Sequence, residues 1–210
     1  MNQHDWNKYR EEFPARYWQH GIFDEKLLDI LKELHPQYKF QSALDVGGGV
    51  LGTLVLKDFS ETYGIDVDLL DPFISKKPDW IREQVNWDNN NQYDLIIARG
   101  SINYLTVEQL SKLKELLSPN GVLIANTFLN APSKDWSERE AINMNGEKGI
   151  ERSRLNGNII EHQIIFSNYK HEHTFYYYSL DDYQKVWGEI KAENYAKNSS
   201  LIFFKKTYLY

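Results

Sequence analysis

Residues 43–53 read Ala43-Leu-Asp-Val-Gly-Gly-Gly-Val-Leu-Gly-Thr53, an apolar segment that runs into a cluster of glycines. This pattern predicts a buried strand that turns sharply into a helix, because glycines let the backbone approach a bound ligand closely. The unpaired N–H groups at the beginning of such a helix attract negatively charged groups. A second predicted strand, residues 62–65, ends on Asp66, and an acid about 20 residues after the first glycine binds ribose hydroxyls in βαβ units. The stretch therefore predicts a nucleotide-type cofactor.

Two classes of cofactor fit this geometry. Gly47, Gly49 and Gly52 match the spacing of a dinucleotide site, and that interpretation makes the protein an NAD-dependent oxidoreductase. Asp45 favours a second class, because the strand of a dinucleotide site is usually apolar up to its first glycine. The order Asp45-x-Gly47-x-Gly49 resembles the first motif of the class I S-adenosylmethionine-dependent methyltransferases. The resemblance departs at position 51, where that family's third glycine is replaced by Leu51.

The resemblance covers residues 40–127 and the C-terminal residues 199–206. Residues 93–101 resemble the family's fourth strand with its following loop, and residues 117–124 resemble its turn into the fifth strand. It implies a Rossmann-like, doubly wound, mostly parallel seven-stranded sheet with an antiparallel last strand. It also implies that S-adenosylmethionine is held by Asp45 and the turn Gly47, Gly48 and Gly49 at its amino acid end, by Asp66 at the ribose, by Trp87 and Asp88 at the adenine, and by Arg99 and Gly100 at the methionine part. Val67, next to Asp66, is a further expected cofactor-binding residue.

Length and composition predict one domain and disfavour several partners. The 210 residues suit a single domain with a sizeable core, and the absence of cysteine excludes disulfides, thiolate metal sites and a cysteine nucleophile. A protein with a net charge of −6 does not attract a polyanion electrostatically over its whole surface, so we expect no nucleic acid substrate. The N-terminal residues do not resemble a signal peptide, and no apolar run is long enough to cross a membrane. We therefore expect a cytoplasmic protein.

The order of predicted elements alternates between strands and helices. Two helices precede the sheet: one contains Tyr17, and a second begins at Asp24 and ends at His35-Pro36. The strands are predicted at residues 40–46, 62–65, 84–87, 93–98 and 122–126, and such alternation gives a parallel sheet with its ligand at the carboxyl ends of the strands. The single domain then divides into a helical cover (1–38), a cofactor-binding core (40–127), an insertion with a hairpin (128–179), and the last helix and strands (180–210).

The predicted hairpin comprises residues 158–166 and 171–179 around the connection 167–170. If paired positions sum to 337, Phe166 lies opposite His171 and Ile164 lies opposite His173. Opposed residues share a face. One apolar face then contains three imidazoles, and we infer that this lid covers the cofactor pocket; its members are Ile160, His162, Ile164, Phe166, His171, His173, Phe175 and Tyr177. Tyr17 is the predicted lid residue of the N-terminal cover.

Three interpretations of His162, His171 and His173 remain open. One of them can act as a general base that takes a proton from the methyl acceptor. They can instead hold a metal, although no acidic partner is apparent in the sequence, and we predict no metal site. They can also be packed polar residues of the lid.

The sequence predicts S-adenosylmethionine-dependent methyl transfer to an O or N atom of a small molecule by in-line displacement. Holding the nucleophile in line supplies much of the rate, so the lack of an obvious catalytic dyad does not contradict an enzyme. An NAD-dependent oxidoreductase and a non-catalytic S-adenosylmethionine-binding protein are the alternatives. The acceptor, the choice between O and N, and the oligomeric state remain open.

Overall fold

The chain forms a seven-stranded sheet flanked by helices and a separate four-stranded antiparallel sheet. The computed structural model describes residues 15–49, 52–127, 131–142, 146–196 and 199–205. The order in the large sheet is β10-β11-β5-β4-β1-β2-β3, with strands β1 (Ser42–Val46), β2 (Asp66–Leu70), β3 (Glu83–Gln84), β4 (Tyr93–Ala98), β5 (Leu117–Thr127), β10 (Ile190–Ala196) and β11 (Ser199–Lys205). The helices are α1 (Ala15–Tyr38), α2 (Leu54–Tyr63), α3 (Val107–Leu116) and α4 (Leu180–Trp187).

The centre of the large sheet is parallel. Strand β1 pairs in parallel with β2 and β4, β4 pairs in parallel with β5, and β11 pairs antiparallel with β5. Leu95, Ile96 and Ile97 of β4 are completely buried, as expected for a strand covered on both faces. Helices α1 and α2 pack on one face, and α3 and α4 pack on the other. The mostly parallel α/β fold predicted from the sequence is confirmed.

The N-terminal cover differs from the prediction. Asp24 was expected to cap the beginning of a second helix, but it lies inside one continuous helix. Helix α1 begins at Ala15, passes through Asp24 and includes Pro36 in its last turn. Leu27 and Leu31 are completely buried against the sheet, and this packing outweighs the local signals that predicted a start and a stop. The side chain of Tyr17 lies outside the part of the chain whose side chains are described.

The predicted boundaries are wrong for four of the five strands; β1 begins at Ser42 instead of residue 40. Residues 62 and 63 belong to α2, and Gly64, with a φ of +68°, follows the last residue of this helix. Strand β2 therefore begins at Asp66, where the predicted strand ended. Strand β3 spans only Glu83–Gln84, whereas the prediction was residues 84–87. Strand β5 begins at Leu117, five residues before the predicted start at residue 122. The capping box of Thr106 and Gln109 at the beginning of α3 is present as predicted.

The insertion between β5 and α4 contains more than the predicted hairpin. It forms β6 (Ser137–Ile142), β7 (Lys148–Asn156), β8 (Ile159–Phe166) and β9 (Tyr169–Tyr176) in sequential order. His162 pairs with His173, and Ile164 pairs with His171, so the register differs by two residues from the predicted one. Side chains alternate with a period of two, so this slip leaves the same residues on the same face.

Candidate active site

The glycine turn lies at the carboxyl end of β1 and requires glycine for two separate reasons. Gly47 and Gly49 have φ values of +73° and +70°, in the left-handed region that side chains with a Cβ rarely adopt. A Cβ on Gly47 would also lie 2.5 Å from the Cβ of Ser101, and one on Gly48 would overlap the carboxylate of Asp45. The Gly47 N–H donates to the carbonyl of Leu70 at 2.9 Å. The turn is therefore held against the ends of β2 and β4.

Asp45 lies beneath this turn and is completely buried. Its Oδ2 accepts from the Thr53 N–H at 2.7 Å, and its Oδ1 accepts from the Thr53 hydroxyl at 2.8 Å. Burial raises the pKa of Asp45 to about 6, because the charged form is poorly solvated there. The carboxylate therefore ties the beginning of α2 to the end of β1 and positions the glycine turn.

Asp66, the predicted ribose ligand, lies at the wrong end of β2. It pairs with Ser42, the first residue of β1, and its exposed carboxylate forms an ion pair with Arg82 at 3.1 Å. Val67 is buried in the core beside Ala43 of β1, also away from the carboxyl edge. The second strand was predicted four residues too early, so Asp66 begins β2 and does not reach the carboxyl edge where a ribose was expected.

The acid that follows β2 is Asp71, which sequence reasoning missed. It is 6% exposed; its Oδ2 accepts from the Gly49 N–H at 2.9 Å, and its Oδ1 accepts from the Phe73 N–H at 2.9 Å. The side-chain amide of Gln84 donates to the Asp71 carbonyl at 3.0 Å. The pair Asp71-Pro72, directly after an apolar segment, is the sequence signal that could have identified this position.

A pocket of about 310 Å³ opens beside Asp71, between the ends of β2 and β3. Its walls combine apolar side chains with a few polar groups, as is typical of small-molecule sites. Trp87, predicted for the adenine, is part of this pocket, whereas Asp88 is exposed and does not line it. The lining residues are Leu70, Asp71, Pro72, Gln84, Val85, Asn86 and Trp87.

The segment after β4 lies on the other side of the glycine turn. Gly100 has a φ of +67°, and its N–H donates to the side-chain carbonyl of Asn126, while the Ser101 hydroxyl donates to the carbonyl of Val46. The Nη2 of Arg99 donates to the Oδ2 of Asp24 on α1 at 2.7 Å. The predicted residues Arg99 and Gly100 thus lie at the same edge as the glycine turn.

The three predicted histidines lie together on the inner face of the small sheet. The ring centroids of His162 and His173 are 4.5 Å apart, and those of His171 and His173 are 5.1 Å apart. The Nε2 of His162 lies 2.8 Å from Oε1 of Glu151, whose carboxylate also accepts two hydrogen bonds of 2.9 Å from Arg139. Glu151 is the acidic partner that the sequence did not reveal, because it lies on a strand that was not predicted.

This histidine face packs against the segment that follows β4. The 3₁₀ turn Ile102–Tyr104 places the Tyr104 ring 6.3 Å from that of His173 and 5.7 Å from that of Phe175. The side-chain amide of Asn103 donates to the Tyr176 carbonyl at 3.0 Å. Among the residues that the structure describes, no group of three histidine, aspartate or glutamate side chains could hold a metal ion.

Comparison with known proteins identifies the fold. No family model matches the sequence, and no curated protein matches it. The 1,6-didemethyltoxoflavin-N1-methyltransferase of Burkholderia thailandensis, solved with its acceptor and S-adenosylhomocysteine, is 13% identical, with 98% of this chain and 87% of that chain covered and a TM-score of 0.56.

A second similar structure is the glycopeptide N-methyltransferase MtfA complexed with S-adenosylhomocysteine. It is 15% identical, with 84% of this chain and 86% of that chain covered and a TM-score of 0.51. An O-methyltransferase family protein from Burkholderia thailandensis is 11% identical, with 88% of this chain and 56% of that chain covered and a TM-score of 0.54. The fold is therefore that of the class I S-adenosylmethionine-dependent methyltransferases. In the described part of the chain, no helix is long and apolar enough to cross a membrane.

Proposed function

We propose that this protein binds S-adenosylmethionine and transfers its methyl group to an O or N atom of a small molecule. The proposal depends above all on one observation: the glycine turn and Asp71 are joined by the 2.9 Å hydrogen bond from the Gly49 N–H, next to the pocket that contains Trp87. A βαβ unit with an acid after its second strand is suited to a ligand with a ribose.

The residues at this edge fit the parts of the cofactor in order. Trp87 and Pro72 offer an apolar surface to the adenine. Each oxygen of Asp71 accepts one N–H and has a further lone pair for a ribose hydroxyl. The turn from Gly47 to Gly49 lies between this pocket and Arg99, on the way to the amino acid end. In this proposal Asp71 takes the role that the sequence predicted for Asp66.

The same geometry disfavours a dinucleotide. A pyrophosphate binds the N–H groups at the beginning of the helix after the first strand, where two negative charges have to be accommodated. Here the Thr53 N–H already donates to Asp45, and the carboxylate of Asp71 lies against Gly49. Two acids at the turn would repel a pyrophosphate, whereas the sulfonium of S-adenosylmethionine carries a positive charge.

On the acceptor side, the histidine face of the small sheet lies against the segment after β4. When bound, the cofactor supplies an electrophilic methyl group on a sulfonium. The protein's residues then have to align the acceptor, exclude water and receive a proton. His173, next to Tyr104, is the candidate base, and His162 with Glu151 stabilises positive charge on the imidazoles. His171 completes this group, and the small sheet acts as the lid.

A small acceptor is consistent with this arrangement. The similar Burkholderia thailandensis enzyme, a 1,6-didemethyltoxoflavin-N1-methyltransferase, was solved with bound 1,6-didemethyltoxoflavin. Rings from Tyr104 and Phe175 line the histidine face and suit a flat acceptor. The net charge of −6 gives no general attraction for nucleic acid.

Calorimetric titration with S-adenosylhomocysteine tests the proposal, with NAD as the alternative ligand. We expect the wild-type protein to bind S-adenosylhomocysteine and not NAD. Asp71→Asn should weaken binding by at least tenfold, because it removes a charged acceptor from the ribose, and Asp66→Asn should leave binding within about twofold. Binding of NAD alone, or of neither ligand, would contradict the proposal.

Transfer itself requires a second measurement with methyl-labelled S-adenosylmethionine. Small phenols and amines serve as acceptors, and labelled product is separated from the cofactor. Binding without transfer to any of them would favour the non-catalytic alternative. Transfer that is lost in His173→Gln, with S-adenosylhomocysteine binding retained, would support the histidine as the base.

A further inference from the structure

Asp68, in the middle of β2, is a buried carboxylate that the proposed function does not use. It is completely buried, and it lies on the same face of β2 as Leu70, which lines the pocket. Its Oδ1 accepts from Nε of Arg82 at 2.9 Å, and its Oδ2 accepts from Nη2 of Arg82 at 2.6 Å and from the Tyr93 hydroxyl at 2.8 Å. Three charge-assisted hydrogen bonds therefore meet at one carboxylate inside the sheet.

The hydroxyl of Tyr93 extends this group of hydrogen bonds to Asn89. Burial, together with the hydrogen bond to Asp68, raises the pKa of Tyr93 to about 12, so the phenol keeps its proton and donates it to the carboxylate. Its oxygen accepts from Nδ2 of Asn89 at 2.8 Å. Asn89 is therefore connected to Asp68 through a single hydroxyl group.

Arg82 and Asn89 lie at the two ends of the segment that forms one wall of the pocket. The wall residues between them are Gln84, Val85, Asn86 and Trp87. The last backbone hydrogen bond that the described residues of this segment make to β2 joins the Val85 N–H to the Leu69 carbonyl at 2.8 Å.

Beyond that bond, a turn carries Trp87. The Asn89 N–H donates to the Asn86 carbonyl at 3.1 Å and closes this turn. Strand β3 is the edge strand of the described sheet, so no neighbouring strand there supports the turn from the other side. The position of Trp87 therefore depends on the side-chain connection from Asn89 to the sheet.

We propose that Asp68 is a positioning residue that holds both ends of the segment carrying Trp87. It acts at one end through Arg82, and at the other end through Tyr93 and Asn89. Asp68 does not line the pocket itself, so it affects a ligand only through these residues. The inference rests on the proposed function, in which Trp87 offers an apolar surface to the adenine.

Asp66 is a second acid on the same guanidinium, and it provides a comparison. It contacts Nη1 of Arg82 at 3.1 Å, but its side chain is 65% exposed, whereas that of Asp68 is 0% exposed. An exposed ion pair contributes little to stability, whereas removal of a buried acceptor leaves its donors unpaired. The two acids therefore separate contact with Arg82 from control of the pocket wall.

Double-mutant cycles with Trp87 test the assignment, with S-adenosylhomocysteine binding measured by calorimetric titration. Tyr93→Phe removes one hydroxyl, Asn89→Ala removes the amide that it accepts from, and Asp68→Asn removes the charge. Each variant is also combined with Trp87→Ala. Thermal unfolding shows whether each protein is folded. The two milder variants keep the bonds between Asp68 and Arg82, and they decide the question if Asp68→Asn fails to fold.

We expect Tyr93→Phe and Asn89→Ala each to weaken S-adenosylhomocysteine binding by about fivefold or more, because the turn that carries Trp87 loses its attachment. Asp68→Asn should weaken it further, because both ends of the segment are released. In the Trp87→Ala background, Tyr93→Phe and Asn89→Ala should each change the affinity by less than about twofold.

Amide hydrogen exchange without ligand is the second measurement, and it decides the question if Trp87→Ala does not bind. In Tyr93→Phe and in Asn89→Ala, exchange should become faster at residues 86–89 and stay unchanged in β1 and β4. Uniformly faster exchange would show loss of stability in the whole sheet, and unchanged exchange would show that the connection does not hold the turn. Either result would contradict the assignment.

Asn90→Ala and Asp66→Asn are the matched controls. Asn90 is the exposed neighbour of Asn89, and Asp66 is the exposed acid on Arg82. Both variants should bind S-adenosylhomocysteine within about twofold of the wild type and should leave exchange at residues 86–89 unchanged.

Three binding results would overturn the assignment while the proposed function stands. Wild-type affinity in Tyr93→Phe and Asn89→Ala would show that the connection does not position the pocket. An equal loss with and without Trp87 would show that it acts on the fold as a whole. A loss in Asp66→Asn as large as that in Asp68→Asn would show that burial of the acid is irrelevant. Failure of the wild type to bind S-adenosylhomocysteine would instead contradict the proposed function.

Discussion

The carboxyl edge of the large sheet and the inner face of the small sheet both bury polar groups, but they hold them differently. At the carboxyl edge, carboxylates accept backbone N–H groups: Asp45 from Thr53, and Asp71 from Gly49. On the small sheet the contacts join side chains, as in the carboxylate of Glu151 with Arg139 and His162. The first region is fixed by backbone geometry, and the second is fixed by side-chain pairing across strands.

This difference suggests that the carboxyl edge binds the cofactor and that the inner face of the small sheet contacts the acceptor. A turn that depends on left-handed glycines and backbone donors tolerates few substitutions, which suits a constant ligand such as a cofactor. Side-chain pairs on a regular antiparallel sheet can be exchanged without changing the backbone, which suits a variable acceptor. The predictions below test this contrast in order of decreasing effect.

The largest effect is expected for Gly47→Ala. This variant places a Cβ 2.5 Å from that of Ser101 at a φ of +73°, and both the overlap and the backbone strain act on the turn. We expect a loss of about 3 kcal/mol in the free energy of unfolding, measured with urea, together with loss of S-adenosylhomocysteine binding.

Gly157→Ala is the matched control for that variant. Gly157 has a φ of +64° in the turn between β7 and β8, and a Cβ there meets nothing within 4 Å. We expect a loss of only about 1 kcal/mol and unchanged ligand binding. Equal losses in the two variants would show that strain alone, and not the close packing at the carboxyl edge, accounts for the requirement for glycine.

An intermediate effect is expected for Asp45→Asn, and it depends on pH. The pKa of Asp45 is about 6 in the folded protein and 3.8 in an unfolded chain, so as the pH rises the unfolded state loses its proton first. The wild type should therefore lose about 2 kcal/mol of stability relative to the variant between pH 4 and pH 7. Chemical unfolding of both proteins at several pH values measures this difference, and parallel pH profiles would contradict the prediction.

The smallest effect is expected for Glu151→Gln on the small sheet. The substitution removes the negative charge that Arg139 and His162 share, and Glu151 is 13% exposed, so we expect a loss of about 1 to 2 kcal/mol. Glu138→Gln is the control, because its half-exposed carboxylate pairs with Arg152 at 3.4 Å, and a loss below about 0.5 kcal/mol is expected. Urea unfolding compares the two, and a larger loss in the control would remove the distinction between shared and simple ion pairs.

Much of the site could be predicted from local sequence. The glycine turn and Arg99 lie at the predicted ends of strands, because each directly follows a strand with a strong apolar signal. Trp87 lines the pocket although the strand predicted around it is only two residues long and ends before it. The histidine face is also present, although its register is wrong by two residues, because the alternation of a strand is unchanged by such a slip. Asp71, Asp24 and Glu151 were missed as site residues, and their positions depend on where β2 begins, on whether α1 is continuous, and on which strand pairs with β8.

The sequence by itself indicated the alternating α/β fold, the turn after β1 and the alternation of faces in the histidine hairpin, because these follow from patterns among residues that are near one another in the chain. Only the tertiary structure decided which acid reaches the carboxyl edge, since strand ends are set by pairing with neighbours far away in sequence. It also decided that Asp24 contacts Arg99, which lies 75 residues further along the chain, and that Glu151 of β7 contacts His162 of the neighbouring β8. Charges in such pairs carry no periodic signal, so their partners become visible only when the chain is folded.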